Sequence, residues 1–190
     1  GNIIIRSAQK ITIRKTARLK DIILVAPEII IENEVKGNFQ AITDTSLKVG
    51  QNCLLHYPTA LVMIEKEGMP QNSSTPIDLF NNKIFIDKGT VVKGTLCYFN
   101  TIAQERDFKV NVYVGEKSKV VGEIYCEGNL ELKACSVSGS VYTNYFISNE
   151  GGTTFVNHLY NSEIDSESLP EAFGGLLFEN QSKNVMQWLY

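Results

Sequence analysis

Residues 112–128 read VYVGEKSKVVGEIYCEG. An apolar group is followed by a charged turn, a second apolar group leads to Gly122, and a third leads to Gly128. No 3.6-residue stripe runs through the stretch and β-branched residues dominate it, so it reads as short strands separated by turns. The same phrase recurs. ITIRKTARL begins at Ile11, IIIENEVKG at Ile29 and LKVGQNCLL at Leu47, two steps of 18 residues. It returns as IFIDKGTVVKG from Ile84, VYVGEKSKVVG from Val112 and LELKACSVSG from Leu130, the last two again 18 apart.

Aligned on these starts, the first and third positions are aliphatic and the seventh is small or modest: Ala17, Val35, Cys53, Thr90, Ser118 and Ser136. Alternation of this kind points one side chain inward and the next outward, the period of a strand. A repeat near 18 residues with several short strands in each predicts an all-β chain, a single-stranded parallel β-helix or β-solenoid of coils stacked in parallel. Gly94, Gly122 and Gly139 fall at nearly the same point of successive coils, where a bend requires φ values that other residues resist. Periodicity alone leaves the hand of the helix open.

The predicted β-helix covers residues 2–147, with loop insertions at 65–82 and 99–109. The first carries Gly68, Pro70 and Pro76 in a polar cluster. Residues 148–190 abandon the repeat and read as a C-terminal capping segment, with a short helix near SESLPEAF and with Phe155, Leu159, Leu176 and Trp188 as anchors. A cap would cover strand edges that otherwise recruit other chains.

The piece VYVGEKSKVVGEIYCEGNLELKACSVSGSVYTN resembles the bactofilin family, polymer-forming bacterial cytoskeletal proteins, through its hydrophobic pairs, Gly122 before EIYCEG, and VSGSVYTN. The resemblance covers roughly residues 84–147 and implies a right-handed parallel β-helix. The whole chain also resembles uncharacterised bacterial envelope proteins with one N-terminal membrane segment and a β-solenoid body, through ARLKDIILVAPEIIIENEVKG and YPTALVM. That likeness implies a membrane anchor upstream of residue 1. The start at Gly1, directly before the strand-like NIIIRS, is in keeping with the body of a longer protein.

Composition narrows the chemistry. A chain of 190 residues with 43% hydrophobic content can bury one substantial core. A net charge of −3 and a pI near 5.5 give no reason to expect nucleic acid as a partner. No apolar run approaches the roughly 20 residues a membrane-spanning helix needs. Cys53, Cys97, Cys126 and Cys135 follow no CxxC or zinc spacing and read as buried small hydrophobes.

Hexapeptide-repeat acyltransferases also use coils of about 18 residues, but they build their sites around a histidine. His56 and His158 are the two here, and neither has an acidic neighbour in a convincing arrangement. Glu163, Asp165, Glu167 and Glu171 form one acidic cluster with no cation close in sequence, which reads as a solvated face. The pairs Gly151-Gly152 and Gly174-Gly175 lack the lysine and flanking elements of a phosphate loop. No catalytic, cofactor-binding or metal-ligating residue is therefore expected, and no enzyme.

One charge feature remains. Arg6, Lys10, Arg14, Lys15, Arg18 and Lys20 crowd the first twenty residues without an acid, while Glu150, Glu163, Asp165, Glu167, Glu171 and Glu179 crowd residues 150–182 without a cation. The expectation that follows is a non-enzymatic structural or interaction module of a bacterial cell-envelope or cytoskeletal assembly, self-associating through solenoid ends. Its working surface would be the N-terminal edge and the loop at 65–82. The alternative is a glycan-binding solenoid, with Tyr57, Tyr98 or Tyr113 lining one face, or a degenerate hexapeptide-repeat transferase with His56 facing a groove. Expected partners are another copy or another envelope or cytoskeletal protein, with glycan as a further option. The expected location is the cell envelope, with a cytoplasmic scaffold as alternative.

Overall fold

Ile11 lies opposite Ile29, and Ile29 opposite Leu47, each pair in parallel strands. The spacing in the sequence is thus the register between neighbouring strands. The structure, a computed structural model, describes residues 3–65, 83–101, 108–169 and 173–175.

Fourteen strands form the sheet: β1 (Ile3–Arg6), β2 (Lys10–Ile13), β3 (Leu19–Val25), β4 (Glu28–Ile31), β5 (Lys36–Thr43), β6 (Ser46–Val49), β7 (Leu54–Glu65), β8 (Lys83–Ile86), β9 (Val91–Asn100), β10 (Val112–Val114), β11 (Lys119–Leu132), β12 (Ser136–Glu150), β13 (Thr153–Val156) and β14 (Glu163–Asp165). The order is β1-β3-β5-β7-β9-β11-β10-β8-β6-β4-β2, with β12 beside β11 and carrying β13 and β14. Each strand on this path lies beside strands two places away in the sequence, except where β11 meets β10. The two limbs, odd and even, join because β11 serves both: Lys119–Cys126 pairs with β9 and Leu130–Leu132 with β10.

This architecture corrects the expected fold class. The chain forms one curled, half-barrel parallel sheet with alternating strand order, not a repeating single-stranded β-solenoid. The bactofilin resemblance is corrected with it. An 18-residue period reports which residues face each other across a strand pair, a local property, and says nothing of how the limbs connect. The expected self-association through solenoid ends loses its basis, because the curled sheet is not an open-ended repeat.

The core lies between the limbs. Leu24, Ala41, Leu61, Leu96 and Ile124 stand in direct register on the odd limb and are buried. Ile29, Leu47, Ile84, Val112 and Leu130 do the same on the even limb. Each Leu, Ile or Val among them contributes about 1.5–3 kcal/mol by leaving water.

Where the chain turns between limbs, small polar side chains satisfy the backbone. The Cys53 N–H donates to Thr90 Oγ1 at 3.1 Å, Thr90 Oγ1 donates to the Gly50 carbonyl at 2.7 Å, and the Thr90 N–H donates to Ser118 Oγ at 3.2 Å. The last position differs from the sequence alignment by one. Ser136 pairs with Lys119, which leaves Cys135 beside Ser118, where its N–H donates to Ser162 Oγ at 3.3 Å. The step from Ser118 to Cys135 is 17 residues, one short of the 18 from Ala17 to Val35 and from Val35 to Cys53, so an alignment begun at Leu130 overshoots.

The C-terminal cap anchors also differ. Phe155 and Leu159 are exposed, at 45% and 41%, and β13 is a hairpin arm on β12. Leu176 and Trp188 lie outside the described residues, as do 66–82 and 102–107 of the two expected insertions. Residues 166–169 form bends and a turn, and residues 170–172 of the expected helix lie outside the described residues.

Candidate functional site: the outer face of the odd limb

Gly94, Gly122 and Gly139 stand in exact register on β9, β11 and β12, with φ of 145°, 146° and 146°. A Cβ at Gly122 would stand 1.9 Å from the Gly94 carbonyl oxygen, and one at Gly139 would stand 1.8 Å from that of Gly122. Only glycine fits this approach of one strand to the next. The irregularity continues across the limb, with register shifts at Leu55/Thr59 in β7, Gly37/Gln40 in β5 and Lys20/Ile22 in β3. The odd limb therefore bends along one line.

A segment of the chain's own C-terminal part lies on that line. A Cβ at Gly139 would meet Leu169 Cδ1 at 3.2 Å, and one at Gly122 would meet Phe173 Cε2 at 2.9 Å. The Phe173 ring lies 5.6 Å from that of Tyr57, and the Gly174 N–H donates to Tyr57 Oη at 3.3 Å. A Cβ at Gly175 would strike the Glu123 carboxylate at 2.4 Å. Missing side chains in the sheet and in the segment thus let the two come together. Past Tyr57 the bend opens into a cleft of about 270 Å³ lined by Ile3, Asp21, Ile23, Asn38, Gln40 and Pro58 among others.

Beside the bend runs an outward ladder that is apolar from end to end. Val25, Ile42, Val62, Cys97, Tyr125 and Tyr142 face each other in succession on β3, β5, β7, β9, β11 and β12. At about 4.8 Å per strand this covers about 24 Å. Ile64 and Phe99 form a further apolar pair in register, and the Phe99 and Tyr125 rings lie 5.4 Å apart. Val25, Ile42, Val62 and Tyr125 are half-buried, Cys97 between them is buried at 2% exposure, and Tyr142 is 46% exposed. A strand apolar on both faces is the pattern of a sheet covered on both sides. Reading from the sequence missed this face, although ILVA (23–26) and ALVMI (60–64) lack the polar residues an outer face normally interleaves.

The even limb is different. Lys48, Phe85, Tyr113 and Glu131 form its outward ladder. Phe85 and Tyr113 stack on one another at 4.9 Å and 6°, Lys48 Nζ lies 6.0 Å from the Phe85 centroid, and Glu131 accepts from the Asn149 N–H at 3.2 Å. These groups satisfy each other.

The residues expected for the alternative functions are dispersed. Tyr98 is fully buried; its hydroxyl donates to the Glu65 carboxylate and accepts from Asn111 Nδ2 at 2.9 Å. Tyr57 belongs to the odd limb and Tyr113 to the even limb, so the three tyrosines line no common face. His56 is exposed, and among the described residues no carboxylate pairs with it or with His158, whose ring lies 5.8 Å from that of Phe155.

Glu163 and Asp165 stand in β14, where Asp165 Oδ1 accepts from the Glu167 N–H at 3.0 Å; Glu171 lies outside the described residues. No group of three or more His, Cys, Asp or Glu side chains among the described residues is arranged to hold a metal ion. The four cysteines are free and buried, and burial pushes the Cys97 and Cys126 thiols up to about 12. A thiol held protonated is a poor nucleophile.

Comparison of the chain with protein-family models, with curated proteins and with solved structures finds no match.

Proposed function

We propose that the chain is a non-catalytic recognition domain that docks a protein partner on the outer face of the odd limb. The observation that carries this reading is the apolar outward ladder from Val25 to Tyr142, beside a bend that already holds apolar side chains of the chain itself. Apolar surface of this extent on a sheet face is stabilised by cover from another polypeptide. The absence of a catalytic role is supported by the raised thiols and by histidines without carboxylate partners among the described residues. The acidic balance favours protein over nucleic acid.

Site-specific photo-crosslinking tests the docking face. A crosslinking side chain at Val62 or Ile42 should yield one discrete protein adduct in host cells, absent when the group stands at Lys48 or Tyr113. The same adduct should form between purified proteins. Equal adducts from both limbs, or none from Val62 and Ile42, overturn the assignment.

A further inference from the structure

The bend on the odd limb shows how its occupant is held. Leu169 rests over Gly139 and Phe173 over Gly122, so apolar residues four positions apart in the occupant meet glycines on neighbouring strands. Sheet glycines lack side chains, which lets the occupant's backbone and apolar groups approach the strands closely. Tyr57 then fixes the occupant's direction, its ring against Phe173 and its hydroxyl accepting from the Gly174 N–H. Glu123 stands under Gly175, and its carboxylate would have to move aside for any larger residue there. Beyond Tyr57, the neighbouring Pro58 lines a cleft with Asp21, Asn38 and Gln40, whose polar groups border the apolar Ile3 and Ile23. Asn38 Nδ2 donates to Asp21 Oδ1 at 2.7 Å there; the carboxylate and the amide oxygens can accept further bonds from the backbone N–H groups of an extended chain, and the cleft's apolar wall matches a side chain.

Resting on the docking face assigned above, we propose that the bend is a binding groove for an extended polypeptide segment of the partner. That segment has two apolar residues four positions apart followed by small residues, and it displaces Leu169 and residues 173–175 from the groove. Those residues are a resident competitor, a copy in cis of what the groove accepts in trans. The groove crosses the strands, so recognition comes from the glycine contacts, Tyr57 and the cleft rather than from added strand pairing.

The probe is a fluorescein-labelled synthetic peptide with the sequence of residues 166–175, titrated into the full chain and into the full chain carrying L169S and F173S. Fluorescence anisotropy should show at least tenfold tighter binding to the substituted chain, where the resident segment is weakened, than to the unsubstituted one. Tyr57→Ala in the substituted background should abolish most of that gain. Circular dichroism verifies the sheet, and F173S alone serves if the double substitution unfolds the chain. No binding to the substituted chain, or equal binding to both chains, overturns the groove. A crosslink confined to Val62 and Ile42 in the face of that result would leave the docking face standing and remove only this mode of occupancy.

Discussion

The Phe173 ring meets the Tyr57 ring at 5.6 Å and 58°, joining the C-terminal part of the chain to a register shift in β7. The contact lies at the end of the glycine line, where strands approach too closely for any side chain. The conformations of Gly94, Gly122 and Gly139 thus serve the sheet and shape the groove that Phe173 and Leu169 enter.

Gly122→Ala should destabilise the chain by about 3 kcal/mol or more, because the new Cβ would lie 1.9 Å from a backbone oxygen at a φ of 146°. Gly151→Ala, where nothing stands within 4 Å and φ is 57°, should cost about 1 kcal/mol. Urea unfolding of the two variants beside the unsubstituted chain measures the difference.

Thr90→Val removes the acceptor of the Cys53 N–H and the donor to the Gly50 carbonyl, both buried between the limbs. Leaving these groups unpaired should cost about 2–4 kcal/mol, although the volume is preserved. Thr90→Ser, which keeps the hydroxyl, should recover most of this in the same unfolding assay.

Cys97 and Cys126 hold their protons up to about 12 in the folded chain against 9.0 for an ordinary cysteine, through burial. The stability tied to these thiols is complete below about pH 9 and is lost as pH rises from there toward about 12. Denaturation midpoints should fall across that window, and less steeply in a Cys97→Ala, Cys126→Ala chain. Labelling by iodoacetamide at pH 8 should follow global unfolding rather than precede it.

Lys15 Nζ lies 2.5 Å from Glu34 Oε2 on an exposed surface, and this hydrogen bond and the lysine charge lower the Glu34 pKa. Lys15→Met should return the Glu34 pKa upward toward its ordinary value, read by NMR titration of the side chain. The stability Glu34 gains from the pair exists above its ordinary pKa and fades as pH falls through the lowered value. Unfolding at neutral pH in high salt should scarcely distinguish the two chains.

Local features were readable from residue order alone. Recurring aliphatic pairs place Ile11, Ile29 and Leu47 in one buried or half-buried row, because alternation and register depend only on neighbouring residues. Gly94, Gly122 and Gly139 were legible as one line, because no other residue adopts their backbone. The cysteines were legible as core, since no spacing among them suits a metal.

Long-range pairing set the remaining features. That β11 serves both limbs, making one curled sheet of alternating order in place of the expected β-solenoid, depends on how far one strand runs before it turns. The single-residue shortening before Cys135 shows only in the pairing of β11 with β12, and the exposure of Phe155 in that of β12 with β13. The docking face was spelled out in ALVMI at 60–64, but its meaning required knowing that Val62, Cys97 and Tyr125 face outward together. Phe173 and Tyr57 meet through a long-range contact that no local pattern encodes. Local rules act over a few residues, whereas the face and the groove arise where distant segments share one surface.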